Sequence, residues 1–498
     1  MHRCWDIAEL VQLILEELDS RTFHGDEIES VNRPQVIALY HLAQTCRRLC
    51  DPALDVLWKA THGLVPLLKC LPTKSWEIRD GCFEVVSALN IDNWQRCLGY
   101  SRRVRTFSCY DGTVVVGQSA IESMMSLSPG TVLPNVRGLA CYSSSVLFPY
   151  LDFLLGPRVE GIAITLDGPA HRASIMDTFS SYFRSLEGVR IIVTSGELTS
   201  GLVSSFVLQL PSQLRCLSFQ GPNPATCRHL VTFPNLQDLE VLDLIETPFP
   251  GPYPVPSDKV FPALHTLKIT TSNPLFAANF MAVLKDARLT RLYLEASEDS
   301  TTLNSLALFS AICAAGSPLE LVEISILLND DFERVLADLQ LYDTQFDFIR
   351  ALFVYSNLCY ITLACPLGFG LDDSLLEIMA RAWPRLVLLR IGNSVATDRN
   401  PQSSPTLATL LALCKHCAYL HSVYIALNTT MIPAACGHGE SRSALSFKLK
   451  YWDPCDSSVQ FPESVAEFLG TNFPMLSVAH ISESWAQVDA LLTARRAT

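Results

Sequence analysis

One short phrase, apolar-x-x-apolar-x-apolar, recurs from about residue 100 onward and constrains this chain's fold more than any other feature. Clear copies are Leu236/Leu239/Val241, Leu264/Leu267/Ile269, Leu289/Leu292/Leu294, Leu386/Leu389/Ile391 and Leu420/Val423/Ile425. Weaker copies begin at Val104, Val136, Val159, Val189, Leu214, Leu319, Leu358, Ala444 and Leu476. Helix-like stretches fall between many of them: Ala277–Ala287, Thr302–Ala315, Asp372–Ala382, Thr406–Cys417 and Glu463–Leu469. A unit of one strand and one helix cannot bury its apolar residues alone. It does so against its neighbours, and such an array grows in one dimension.

This strand–helix period resembles the leucine-rich repeat. The resemblance implies an α/β fold, an irregular solenoid with strands on the concave face and helices on the convex one. The Asn or Cys that closes the usual repeat is mostly missing, and the spacings run from 22 to 39 residues. Pro-rich Thr247–Pro256 and polar Thr397–Pro405 read as loops inserted between units. An ordinary α/β domain would also alternate strands and helices, but fourteen such phrases exceed what one doubly wound sheet normally holds.

The sixty residues before the repeats read differently. Ile7, Leu10, Val11, Ile14 and Leu18 have helical spacing behind a capping pair, Asp6 and Glu9. Polar residues from Asp19 to Arg33 form a loop, and Pro34 opens a second helix carrying Val36, Leu39, Tyr40, Ala43 and Cys46. Asp51-Pro52 is expected to restart a third, with Leu54, Leu57 and Trp58. Glu9-Leu10, Ile14, Leu18, then Thr45-Cys46-Arg47-Arg48-Leu49, then Leu57-Trp58 resemble the F-box motif in its divergent fungal form.

The proline that usually precedes the first F-box helix is absent, and the first loop is longer than the family norm. The expected organisation is an F-box-like helical domain over residues 1–60, a helical connector over 61–100 and a leucine-rich-repeat-like domain over 101–498. In the connector, Leu64, Leu67, Leu68 and Leu71 form one stripe, and Phe83–Leu89 is expected to be helical as well. No Gly/Ser-rich or charged linker separates the parts, so they should move together.

Composition removes several classes of function. Apolar residues make up 49% and charged ones 17%, against about 25% charged on average, which excludes a disordered chain. Lys plus Arg is 37, Asp plus Glu 50 and the net charge −13; this gives no support for a nucleic-acid partner. The 17 cysteines are odd in number and scattered, and the N-terminus lacks an apolar signal core. Reduced thiols and a cytoplasmic or nuclear location are expected. Residues 351–371 carry no formal charge over 21 positions, but Asn357, Pro366, Gly368 and Gly370 interrupt them. They read as a passage from helix to strand, and no membrane partner is expected.

No phosphate-binding loop, nucleophile elbow or His-Glu-x-x-His occurs. Cys414-Lys415-His416-Cys417, near His421, Cys436 and His438, is the best zinc candidate. The helix it ends, with Leu410, Leu411 and Leu413, instead makes Cys414 and Cys417 small buried apolar residues. Neither a metal nor another cofactor is expected. Trp58, Trp76, Trp94, Trp383, Trp452 and Trp485 read as core anchors, and Arg102, Arg103 and Arg105 as a solvated edge.

The F-box resemblance implies a non-catalytic substrate receptor of a cullin-based ubiquitin ligase. It would dock a Skp-family adaptor, and through it a cullin, with Leu10, Ile14, Leu18, Cys46, Leu49 and Trp58. Residues flanking the apolar positions of each strand point away from the repeat core. Asp238, Glu240, Lys268, Arg291, Tyr293, Glu295, Arg390 and Tyr424 are therefore the candidate contacts to an unknown protein substrate, with Lys448 and Lys450 in the same places on the Ala444 copy. The alternative is a leucine-rich scaffold without ligase connection, its first sixty residues a terminal cap.

Overall fold

The computed structural model describes residues 8–18, 33–109, 112–128, 130–166, 179, 182, 185–193, 200–221, 224–243, 261–284, 287–297, 302–315, 320–328, 348–364, 369, 371–392, 405–433, 448–455, 457–479 and 482–497. They divide into two compact units, 1–220 and 221–498.

The first unit opens with helices α1 (Ala8–Glu17), α2 (Arg33–Thr45) and α3 (Arg47–Trp58). Val11 and Leu15 of α1, Leu39 of α2, and Leu49, Ala53 and Val56 of α3 form their common core. Asp6 and its expected capping role lie outside the described residues. Pro52 does not restart a helix: α3 runs continuously through it from the N-cap Cys46. An interior proline costs about 3 kcal/mol. Here Leu49, Ala53 and Val56 reach one core only if the helical spacing on both sides of the proline is kept.

Strand β1 (Ala60–His62) succeeds α3 at once and pairs in parallel with β4 (Thr106–Ser108). The sheet thus starts well before the expected boundary at residue 101. The polar Thr61, 5% exposed, stands where the repeat phrase has an apolar residue. β6 (Gly138–Tyr142), β7 (Gly161–Leu166), β8 (Gly188–Val193) and β9 (Cys216–Gln220) extend the parallel sheet in order.

The 61–100 segment is only partly helical. Val65–Leu68 is one turn and Ile91–Ser101 a helix capped by Asn90. Phe83 lies on a strand, because β2 (Trp76–Arg79) and β3 (Cys82–Val85) form an antiparallel hairpin. Its turn is Asp80-Gly81 with φ of 48° and 79°, the left-handed pair that a two-residue hairpin needs. The Trp76 ring stacks on Phe83 across the hairpin at 5.0 Å, and β5 (Val115–Val116) adds to β3.

The three N-terminal helices are fastened to the 91–105 segment. The Trp58 ring stacks on Tyr100 at 4.9 Å. Arg103 donates to the Asp51 carboxylate at 2.7 Å and also pairs with Asp55, both on α3. Arg103 is therefore an inter-element clamp rather than part of a solvated edge.

Among the described residues, the second unit carries nine parallel strands: β10 (Asp238–Asp243), β11 (Thr266–Thr271), β12 (Arg291–Ala296), β13 (Glu323–Leu328), β14 (Tyr360–Ala364), β15 (Leu388–Gly392), β16 (Ser422–Tyr424), β17 (Tyr451–Asp453) and β18 (Ser477–Val478). Helices Pro274–Met281, Thr302–Ala315, Asp373–Ala382, Ala408–His416 and Pro462–Asn472 lie between strands, close to their expected places. All fifteen apolar positions of the five clear repeats are at most 3% exposed. Each such side chain contributes about 1.5–3 kcal/mol by leaving water.

Three weaker copies start elsewhere than the phrase suggests. The buried sets are Leu186/Val189/Ile191 and Leu321/Ile324/Ile326, and Leu449/Trp452 begins the third. In the second, the alternating apolar run offers two frames. Val322 is 36% exposed and Ile326 only 1%, so burial selects the later frame. Leu319 and Ala444 lie outside the described residues. Leu352–Val354, a break and then β14 realise the expected helix-to-strand passage. Among the described residues, no helix is long and apolar enough to cross a membrane.

Among the described residues, strand β18 pairs on one side only, with β17. Helix Glu483–Ala497 occupies backbone groups around it. Val478 N–H donates to Asp489 Oδ1 at 3.3 Å, and Arg496 donates to the carbonyls of Leu476 and, at 3.0 Å, Pro474.

Candidate partner-binding surfaces

Helix α1 has two apolar stripes. Val11 and Leu15 point into the three-helix core, while Leu10 and Ile14 are each 39% exposed and Leu13 is 58% exposed. Leu10, Leu13 and Ile14 are spaced i, i+3, i+4 and so share a face. α2 adds exposed Ile37 and Tyr40, also i, i+3. Leu13 and Ile37 are not among the residues the motif marks, although their helical spacing could have found them.

The other expected adaptor contacts sit deeper. Leu49 belongs to the core, Leu18 and Cys46 pack half-buried against it, and Trp58 is engaged with Tyr100. Of the six residues, only Leu10 and Ile14 present open apolar surface.

The second surface is the exposed face of the β10–β17 sheet, where register aligns side chains in rows. One row runs Glu240, Lys268, Tyr293, Ser325, Thr362, Arg390, Tyr424, Asp453. The row beside it runs Asp238, Thr266, Arg291, Glu323, Tyr360, Leu388, Ser422, Tyr451. Glu295 lies on a third, between Thr270 and Leu327. All eight expected substrate contacts thus lie on one sheet. Lys450 does not join the Tyr424 position, which belongs to Asp453; its amide instead bonds the His421 carbonyl.

The rows change character along the sheet. Over β10–β13 two ion pairs bridge neighbouring strands within an acidic surface: Lys268 Nζ sits 2.6 Å from Glu240, and Arg291 3.7 Å from Glu323. Burial, and then a hydrogen bond to Glu323, pushes the Tyr293 hydroxyl up to about 12. Over β14–β17 the surface is aromatic. Tyr360 is 43% exposed, Tyr424 and Tyr451 lie 5.4 Å apart, and the Arg390 guanidinium sits 4.1 Å above the Tyr424 ring. Among the described residues no carboxylate lies within ion-pairing distance of Arg390. Tyr360 and Tyr451 are not visible as contacts in the sequence because their strands belong to weaker copies of the phrase.

Cys414 and Cys417 are buried, and the Cys417 thiol faces the Ala380 and Trp383 carbonyls at 3.5 and 3.4 Å. Burial pushes both thiols up to about 12, so in the absence of a metal ion they stay protonated and pack as small apolar groups. Trp94, Trp383, Trp452 and Trp485 are fully buried, whereas Trp58 and Trp76 are half-buried and stacked.

No family model matches the chain, and no curated protein matches it in sequence. Among solved structures, the leucine-rich repeat-containing protein LegL7 from Legionella pneumophila aligns at 12% identity and a TM-score of 0.31, over 67% of this chain and 91% of that one. The Toll–Spatzle complex of Drosophila aligns at 12% identity and a TM-score of 0.29, over 77% of this chain and 45% of that one. The strand–helix architecture rests on the strand pairing and side-chain burial of this chain itself.

Proposed function

We propose that the chain is a non-catalytic interaction protein, the substrate-recognition subunit of a cullin-type ubiquitin ligase. The N-terminal helices dock a Skp-family adaptor, and the sheet face holds a protein substrate. Such a receptor works by position: a tethered substrate meets the ubiquitin-loaded enzyme at raised effective concentration. The observation that carries the reading is the solvent-facing Leu10, Leu13, Ile14 stripe on a helix whose other face already has its core. Attachment of α3 through Trp58 and Arg103 supports it, since positioning requires rigidity.

The test is a pull-down of the full chain with purified Skp-family adaptor. Wild type is expected to bind, and Leu10→Asp/Ile14→Asp to lose binding while keeping its helical circular dichroism, because Val11 and Leu15 still fill the core. Unchanged binding by the folded double variant removes the adaptor reading.

For the sheet face, Tyr and Arg are the residue types enriched at interface hot spots. Arg390→Ala/Tyr424→Ala is expected to remove a specific protein from those co-purifying with the full chain. An identical set with wild type and variant excludes this face as the capture surface. A scaffold without ligase connection is the second reading. The ion pairs over β10–β13 and the aromatic patch beyond them favour protein contact with or without an adaptor.

A further inference from the structure

We infer that the N-terminal rim of the sheet in the first unit is a binding surface for an acidic polypeptide segment. Strands β1, β4 and β6 are each preceded by a cation: Lys59, Arg105 and Arg137. The backbone puts these in equivalent places. The amides of Arg105 and Thr106 both donate to the Lys59 carbonyl, at 2.8 and 2.9 Å, and those of Arg137 and Gly138 to the Arg105 carbonyl, at 2.7 and 3.1 Å. Neighbouring cations are therefore one strand spacing apart, with their backbones about 4.8 Å from one another across the sheet. A second tier flanks the first: Asn135 Nδ2 donates to the Arg102 carbonyl at 2.8 Å, and Arg158 donates to Asn135 Oδ1 at 3.1 Å. All five cations are exposed.

Among the described residues, only Arg137 has a carboxylate within reach, Glu160 at 3.7 Å, and both partners are open to solvent. An exposed pair of that kind is weak. Along the rim the sign then reverses. Glu160 and Glu187 continue the row through the same carbonyl ladder, and Arg215, the next residue, is 3.6 Å from Glu187. A chain of net charge −13 thus gathers three cations at the entries of β1, β4 and β6, with Arg102 and Arg158 flanking them from the loops that lead into β4 and β7. Like charges at this spacing repel one another, and an anion relieves that repulsion.

The width identifies the occupant. Two strand spacings are about 10 Å, and an extended polypeptide places alternate side chains on one side about 7 Å apart. Two or three carboxylates of a short acidic stretch therefore reach all three strands. A bilayer surface or a nucleic-acid duplex is wider, and would also lie over Glu160 and Glu187.

Anisotropy of a fluorescein-labelled oligoglutamate titrated with the full chain tests this. The expected result is binding that weakens roughly tenfold between low and moderate salt, and roughly tenfold again in Arg105→Gln/Arg137→Gln/Arg158→Gln. Arg215→Gln, in the ion pair beyond the sign reversal, should bind as wild type does. Arg137→Gln/Arg158→Gln replaces the triple variant if that variant fails to fold, because these two side chains engage the Glu160 and Asn135 side chains and leave the backbone bonds of Arg105 intact. No binding by wild type at low salt, or equal affinity in the folded variants, overturns the proposal. Tighter binding to phosphatidylserine vesicles or to a short DNA duplex than to oligoglutamate overturns it as well.

Discussion

At the scale of single residues, exposure sorts side chains that look alike in the sequence. Leu10 and Leu49 are both apolar positions of helical patterns, yet one faces solvent and the other is 5% exposed. A pattern shows that a helix has an apolar face; which of two stripes is covered depends on how neighbouring helices pack. The cysteines divide in the same way. Cys97, Cys414 and Cys417 are buried, and desolvation pushes each thiol up to about 12, whereas Cys216 is exposed. Alkylation needs the thiolate. A raised pKa therefore protects at every pH well below it, and the protection fades only as the solution approaches that value. Iodoacetamide at mildly alkaline pH should label Cys216 readily and leave Cys97, Cys414 and Cys417 unlabelled until denaturant is added, as read by peptide mass spectrometry.

At the scale of elements, the amphipathic helices are legible in the sequence and the local exceptions are not. The Asp373–Ala382 helix is where periodicity puts it, with Leu376, Met379 and Ala380 on its buried face. The β2–β3 hairpin is hidden, although Asp80-Gly81 between short apolar runs signals such a turn. Phe83 and its neighbours also fit a helical stripe, and a run of four residues cannot separate the two periods. Pro52 misleads in the other direction: the local rule against interior proline loses to the shared core of Leu49, Ala53 and Val56. Arg103 is invisible as a clamp because Asp51 and Asp55 lie some fifty positions away in sequence. Its side chain is 23% exposed and its partners are open to solvent. Arg103→Ala should therefore cost only about 1 kcal/mol of stability. It should also hasten proteolytic cleavage between α3 and Arg103. A cleavage rate equal to that of wild type would mean that the Trp58–Tyr100 stack holds the helices unaided.

At the scale of the array, the repeat phrase reveals the parallel strands and their burial, while the frame of individual copies needs the structure, since Val322 and Ile326 differ only in what surrounds them. The candidate contact face comes from the same alternation, but its division into an ion-paired end and an aromatic end needs the lateral register, which joins residues of different repeats. In a stacked array each unit leans on its neighbours. Leu363→Ala on β14, at a fully buried site, should cost about 2–5 kcal/mol. Hydrogen exchange should then accelerate first in β13 and β15, which flank β14, and later in β10. Uniform acceleration from β10 to β17 would mean that this unit unfolds as one body. The helix over β18 has a bearing on self-association. A strand that pairs on one side offers its remaining amides and carbonyls to any passing chain, which is how sheets recruit copies of themselves. Asp489 and Arg496 already fill positions that an added strand would use, so polymerisation from that side must first strip an acid and a base from the backbone they protect.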